Sequence, residues 1–417
     1  MARPARQRMI RRLTTALISL LAKIFFRRIE IAGSENVPIG DPIIFAVNHP
    51  NGLIDPLFLL AFTPRRVSFM AKAPLFRMPL IGWLARAFDS IPVYRRQDNM
   101  PTESNRATFT EARALLSRGG AIAIFPEGTS HSDAQLRELK TGAARIALGA
   151  SMRVCIVPTG LYYTAKQRFR SSALMVFGPP ITVEPEPVNA DGEPRVESVD
   201  ALTERIHHAL ADVTLQADSR EALQLIARAE RIFSGGDRGE LARELELRRR
   251  FVAGYRVLRA RDPARLAHLQ SQIARFDAEQ VAASHRLDLS TVWRLLLLPI
   301  AIVGLAIHWP IYRLIRFMAN HLARDEELVA TIKTLAGLVL YPLVWIGISV
   351  AVGIYFAVPS GIAAIILLPL SAYVALVVFE AIDDLTGQFR AMRRHDLRAQ
   401  QRAIRDEIIK VAEEIRA

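Results

Sequence analysis

The stretch Pro42-Ile43-Ile44-Phe45-Ala46-Val47-Asn48-His49-Pro50-Asn51-Gly52-Leu53-Ile54-Asp55-Pro56 decides how the first half of the chain folds. Pro42–Val47 is an unbroken apolar run of strand length, as expected of a strand buried on both faces. It gives way at once to a polar segment in which Pro50 and Gly52 prescribe a tight turn. Pro56 then suits the first position of a helix. Strand, turn and helix in immediate succession are the local grammar of an α/β fold. His49 falls where the strand ends, a place where α/β folds gather reactive groups.

The same alternation continues on both sides. Strand candidates are Pro42–Val47, Arg66–Ala71, Ser90–Tyr94, Ala121–Pro126, Val154–Tyr163, Ala173–Phe177 and Ile181–Val183. Helix candidates are Pro56–Phe62, Leu80–Phe88, Thr102–Arg118 and Thr141–Gly149. Strands alternating with helices imply a sheet covered by helices, so residues 28–190 read as one α/β domain. A second strand-to-turn junction lies within it: Ala123-Ile124-Phe125-Pro126 runs into Glu127-Gly128-Thr129-Ser130.

The first junction has a chemical use. An alcohol is a poor nucleophile near neutrality, and an imidazole can take its proton as attack begins. A carboxylate on the other ring nitrogen fixes the tautomer and stabilises the imidazolium. His49 and Asp55 are the candidate pair, with a short turn to bring them together. Taken alone, their spacing also fits a histidine that caps a turn and an aspartate that caps a helix.

Asn48-His49-Pro50 with Asp55, followed by Phe125-Pro126-Glu127-Gly128-Thr129-Ser130, resembles the glycerolipid acyltransferases, the family of glycerol-3-phosphate and lysophosphatidate acyltransferases. Ile91-Pro92-Val93-Tyr94-Arg95-Arg96 resembles the family's arginine-bearing second block, and Val157-Pro158-Thr159-Gly160 its fourth. The resemblance spans roughly residues 28–185. It implies a mixed sheet flanked by helices, and an acyl chain passing from acyl-CoA or acyl-ACP to a hydroxyl of glycerol-3-phosphate or lysophosphatidate. His49 would be the general base and Asp55 its orienting partner. Arg95 and Arg96 would hold the acceptor's phosphate, for which a guanidinium offers two parallel hydrogen bonds. Glu127, Gly128 and Thr129 would line the glycerol phosphate site, and Lys140, ahead of a helix start, would add a phosphate contact. The chain departs from the pattern in three ways. One extra residue separates His49 from Asp55, as in fungal-type enzymes acting on glycerol-3-phosphate. Ser130 and His131 stand where the third block carries an arginine. Further apolar segments follow the catalytic domain.

The rest of the chain divides by composition. Half of the 417 residues are hydrophobic (51%) and the formal net charge is +13, which suits anionic partners such as acidic lipid or phosphorylated substrates. Residues 1–27 are basic, with an apolar core from Leu13 to Phe26 interrupted by Lys23 and too short to span a bilayer. They read as an amphipathic helix in the membrane interface, with a packed core helix or a secretory signal as alternatives. Residues 191–290 are charged and helical. The membrane region, 291–385, is expected to hold two spans, about 335–358 and 361–379, separated at Pro359-Ser360. Arg313, Arg316, Arg324 and Lys333 precede this hairpin and Arg390, Arg393, Arg394 and Arg398 follow it, so both ends are expected in the cytoplasm. The segment 295–312 reads as interfacial or re-entrant, and 386–417 as a charged C-terminal helix. These features together imply an integral protein of the cytoplasmic membrane, its catalytic domain facing the cytoplasm and membrane lipids as partners.

The single cysteine, Cys155, sits in an apolar run and excludes a disulfide framework and a cysteine zinc site. No Gly-x-Ser-x-Gly elbow, phosphate-cradling Gly-rich loop or paired-histidine metal motif is present, so no metal and no cofactor beyond the thioester donor is expected. Basic residues cluster near apolar segments and on no nucleic-acid recognition element. A lipid-binding or scaffolding protein of the same fold, an acyltransferase for another lysolipid and a thioester hydrolase are the competing readings.

Overall fold

The structure is a computed structural model that describes all residues except 1, 95–103, 235–238, 277–293, 324–325, 393–394 and 417. The chain forms two compact units, one of residues 1–216 with Glu326–Thr331, the other of Ala217–Asp325 with Ile332–Ala417.

The first unit is built on an eight-stranded sheet: β1 (Arg28–Ala32), β2 (Ile43–Val47), β3 (Val67–Lys72), β4 (Ile91–Val93), β5 (Ala121–Ile124), β6 (Val154–Tyr163), β7 (Ser172–Phe177) and β8 (Ile181–Val183). Its order is β1-β7-β6-β2-β5-β3-β4, with β8 also on β6. The pairings of β2 with β5 and β6, and of β3 with β5 and β4, are parallel, whereas β6 runs antiparallel to β7 and β8. The sheet is therefore mixed, as expected. Side chains alternate across β2. Ile43, Phe45 and Val47 join one core with Phe26, Phe58 and Leu59, while Ile44 and Ala46 join the other with Leu116, Ile146 and Ile206. Both faces are covered, which is why β2 and β5 read as continuous apolar runs.

Helices α1 (Ala2–Phe25), α2 (Ile54–Phe62), α3 (Pro79–Ala87), α4 (Ser104–Leu116), α5 (Gly142–Leu148) and α6 (Val196–Val213) complete this unit. Two features differ from the expectations. β1, whose Arg28 and Glu30 break the apolar pattern, is a strand through its parallel pairing with β7. The domain boundary expected at residue 190 moves beyond α6, whose stripe of Val199, Leu202 and Ile206 closes one core of the sheet. Cys155 is a buried strand residue, as expected, and burial together with the Asp41 charge pushes its thiol above the ordinary value.

In the second unit, α7 (Arg220–Ser234), α8 (Leu241–Arg261), α9 (Pro263–Arg275) and α13 (His395–Arg416) pack into a bundle around Ala229, Ile232, Leu269, Ile273 and Ile404. The C-terminal helix, expected as a charged helix, lays its apolar face on this bundle, and Arg265 pairs with Glu407 and Glu414 across the contact. Glu230 and Arg248 form a buried pair inside it at 3.1 Å. Three further helices, α10 (Leu298–Leu322), α11 (Glu326–Tyr355) and α12 (Val358–Met392), are long and apolar enough to cross a membrane. The segment expected as interfacial or re-entrant over 295–312 is thus one continuous helix that runs on to Leu322. The break between the two expected spans falls at Phe356–Ala357, and Pro359 occupies the first turn of α12, where its missing N–H costs nothing. The first half of α10 crosses α12 closely at Gly304, where a Cβ would lie 2.3 Å from the Ser371 carbonyl oxygen.

Gly160 in β6 makes a comparable approach within the first unit. A Cβ there would lie 2.0 Å from the carbonyl oxygen of Val213 at the end of α6. Gly160→Ala should destabilise this unit by about 1–3 kcal/mol, the cost of forcing backbone apart in a filled core. Thermal unfolding of the purified protein checks this, and an unchanged midpoint would contradict the close contact.

Candidate active site

Parallel strands leave a sheet at one edge, so the loops after β2 and after β5 emerge as neighbours. This topology brings together two motifs that lie far apart in sequence. The exit of β2 is held by Asn48, whose amide bridges to β6: Nδ2 donates to the Leu161 carbonyl at 3.1 Å, and Oδ1 accepts from the Leu161 N–H at 2.7 Å. His49 follows, its ring stacked on Phe125 with 4.0 Å between centroids.

The turn returns the chain to α2 with Gly52 in left-handed conformation (φ 30°). His49 Nδ1 lies 2.8 Å from Asp55 Oδ2. The carboxylate is fully buried, whereas 16% of the His49 side chain remains exposed. Asp55 Oδ2 also accepts the Asn51 N–H at 2.7 Å, and Oδ1 accepts the Tyr163 hydroxyl at 2.7 Å. Asp55 accepts from three partners, and His49 Nδ1 is the donor to Oδ2 in this arrangement. Nε2 is then the basic nitrogen.

Tyr163 gave no signal in the sequence. It lies four residues beyond Thr159, the β6 partner of Val47, so β6 overhangs the end of β2 and carries the phenol over the turn. Burial, followed by the charge of Asp55 and their hydrogen bond, holds this phenol well above its ordinary pKa, and it stays a donor at working pH.

Glu127, expected to bind the glycerol phosphate portion, is engaged here by groups of the protein itself. It is buried, Oε1 accepts the backbone N–H of His49 at 3.1 Å, and Oε2 meets His131 Nε2 and accepts the Arg137 N–H at 3.0 Å. The Asp133 N–H donates to His131 Nδ1, which leaves the proton on Nε2, facing Glu127. The His131 N–H donates to the His49 carbonyl at 3.1 Å. Glu127 and His131 therefore fasten the second turn to the first. Sequence reading missed His131, which had registered only as the residue near an absent arginine.

Gly128 takes the left-handed conformation (φ 75°) at the tip of this turn, and its N–H donates to the Phe125 carbonyl. Thr129 is partly exposed beside it. Lys140 is held near the turn by its N–H on the Pro126 carbonyl at 2.7 Å, and its side chain is exposed. The structure thus groups His49, Asp55, Glu127, Gly128, Thr129 and Lys140 at one sheet edge. Arg95 and Arg96 lie outside the described residues. Two contacts were not anticipated. The Lys166 amine donates to the Pro50 carbonyl at 2.8 Å and reaches Ser132. The Leu53 N–H donates to the Thr331 hydroxyl at 3.2 Å, which ties the catalytic turn to the first turns of α11. Elsewhere, Glu204, His207 and His208 on α6 bring ligand-type atoms within 4.8 Å of one another. There Glu204 and His208 form the ordinary i, i+4 contact of an exposed helix face.

Residues 28–162 match the family described as acyltransferase. Glycerol-3-phosphate O-acyltransferase 1 of Saccharomyces cerevisiae is 26% identical, over 84% of this chain and 62% of its own length. An uncharacterized acyltransferase of Schizosaccharomyces pombe is 26% identical, over 61% of this chain and 52% of its own length. A chloroplastic 1-acyl-sn-glycerol-3-phosphate acyltransferase of Arabidopsis thaliana is 32% identical, over 34% of this chain and 38% of its own length. The chain thus spans between about half and two thirds of the fungal relatives.

Glu127→Ala would strip the acceptor from two backbone N–H groups and the His131 ring. Each buried donor left unpaired costs about 1–3 kcal/mol. The melting temperature should fall by about 4 °C or more. If differential scanning fluorimetry records no loss, Glu127 does not hold the two turns together.

Proposed function

We propose that the acyltransferase-family domain of residues 28–162 transfers a fatty acyl chain from an acyl thioester, acyl-CoA or acyl-ACP, to a hydroxyl of glycerol-3-phosphate or a lysophosphatidate. The observation that carries this reading is the His49–Asp55 contact of 2.8 Å at the exit of β2, beside a turn that can accommodate a phosphorylated alcohol. His49 Nε2 takes the proton of the acceptor hydroxyl as its oxygen attacks the thioester carbonyl carbon. The C–S bond of the tetrahedral intermediate then breaks, and the imidazolium returns the proton to the departing thiolate. Asp55 holds the imidazole in the required tautomer and stabilises the charge that develops on it. No acyl-enzyme forms, and the protein's own residues supply the acid–base chemistry.

Arg95 and Arg96 are proposed to hold the acceptor's phosphate, with Gly128, Thr129 and Lys140 lining the same subsite. Glu127 acts from behind it, because both its oxygens are engaged within the protein. The identity of the fungal relative named as a glycerol-3-phosphate acyltransferase, and the longer His49–Asp55 turn, favour glycerol-3-phosphate over a lysophosphatidate.

A membrane setting is part of the proposal. Met9, Leu13, Leu17 and Leu20 form one exposed apolar stripe on α1, alongside Arg12. Arg11 fixes this helix to the end of α3 through the Ala87 carbonyl at 2.6 Å and through Asp89, and α3 exposes Trp83. Such a face suits the interface of an acidic bilayer. α11 and α12 are two successive apolar helices. With arginines and lysine flanking both ends of this pair in the sequence, those ends and the acyltransferase-like domain are proposed to face the cytoplasm at the cytoplasmic membrane.

The test is a transfer assay on purified full-length protein in detergent, with labelled acyl-CoA or acyl-ACP and a panel of glycerol-3-phosphate, dihydroxyacetone phosphate and lysophosphatidate. One acceptor should be acylated, and His49→Ala should lower the rate by about 10³-fold or more while the protein stays folded. Acyl release to water without transfer would assign a hydrolase. Absence of both reactions in folded protein would favour a binding or scaffolding role.

A further inference from the structure

We propose that Tyr163 is a positioning residue of the catalytic pair, a third member whose hydroxyl holds the Asp55 carboxylate aimed at His49. This inference rests on the acyl-transfer reading and adds to it a residue outside the His49 and Glu127 motifs.

The Asp55 carboxylate is fully buried, so water cannot satisfy it. His49 and the Asn51 N–H both bind Oδ2, at 2.8 and 2.7 Å. Tyr163 is the donor that the structure places on Oδ1, at 2.7 Å. Without it, Oδ1 would be an unpaired charged acceptor in a site without solvent, the most costly kind of buried polar atom. The carboxylate would escape that cost by rotating, or by taking up a proton. Either response loosens the contact that fixes the His49 tautomer.

The phenol is itself held from both sides. Its ring stacks on Phe26 with centroids 5.5 Å apart and planes 19° apart, and meets the edge of Phe58. The backbone beneath it is pinned by β6, antiparallel to β7 through the Tyr163–Ala173 pair. Its orientation does not depend on a substrate. The phenol's high proton affinity means that it donates to Asp55 and does not exchange a proton with it during turnover.

Among the described residues, the charged and titratable groups around the pair come from four segments. Asp55 stands on α2, Glu127 and His131 on the turn after β5, Lys166 in the loop after β6, and Tyr163 at the end of β6. Glu127 meets His49 through its backbone N–H, and Lys166 meets the loop through the Pro50 carbonyl, so neither touches the imidazole ring. Tyr163 is the neighbour that acts directly on Asp55.

Tyr163→Phe removes one oxygen atom and keeps the ring packing. In full-length protein, kcat at neutral pH should fall about tenfold, the size expected for losing a hydrogen bond to a charged group. KM for donor and acceptor should stay within about twofold, because Tyr163 touches neither. The acid limb of the pH–rate profile should move to higher pH, since a carboxylate with fewer donors is protonated more readily. The downfield proton resonance of the His49 Nδ1–H, recorded on the purified proteins without substrate and assigned by its loss in His49→Ala, should shift in Tyr163→Phe. A merely structural tyrosine would lower the melting temperature and leave the pH profile and this resonance in place. An unchanged kcat, acid limb and resonance in an active protein would overturn the inference. If the wild-type protein transfers to no acceptor, the acyl-transfer reading fails, and the resonance alone still decides whether Tyr163 controls the pair.

Discussion

The catalytic unit depends on one buried negative charge. Asp55 lies beneath the turn after β2 without access to solvent, and an ionised carboxylate survives there only with donors on both oxygens. His49, the Asn51 N–H and Tyr163 supply them. Each donor is also a constraint. Asn51 closes the turn on its own helix, Tyr163 locks the turn to β6, and His49 is left with one nitrogen tied and the other basic. Tautomer, ring orientation and turn conformation follow from a single demand for charge satisfaction.

A second buried carboxylate repeats the logic one loop away. Glu127 gathers the His49 N–H, the His131 ring and the Arg137 N–H, and so joins the turn after β5 to the turn after β2. The parallel pairing of β2 with β5 makes this possible, because it delivers both turns to one edge of the sheet. The family pattern suggests a glutamate that faces the acceptor. In this chain both oxygens of the glutamate are engaged within the protein, and it joins the two loops. His131, two positions past the third block's threonine, binds one of the glutamate's oxygens and so fastens the turn.

A short segment distant in sequence, Glu326–Thr331, belongs to this unit. Thr331, in the first turns of α11, accepts the N–H of Leu53, and Ala330 is fully buried in the core that contains Phe58 and Leu59. The catalytic turn is therefore completed by a segment more than two hundred residues away, at the start of a helix apolar enough to cross a bilayer. Within the second unit the close approach at Gly304 uses the absence of a side chain, as helices in lipid must when packing rather than water exclusion holds them.

Local patterning alone determined much of this protein. Short apolar runs marked seven of the eight strands, most clearly β2 and β5, where burial on both faces leaves no room for polar residues. The junctions at His49 and Glu127 were visible because strand exit and turn chemistry are both local. The apolar lengths of α11 and α12 were equally legible. Long-range pairing decided the rest. β1 is a strand because β7 lies beside it, despite Arg28 and Glu30. α6 belongs to the sheet because its stripe meets a core built from distant strands. Tyr163, His131 and Thr331 carry no signal of their own, since a phenol, an imidazole or a hydroxyl acquires its role from the atom opposite, and only the folded chain sets which atom that is.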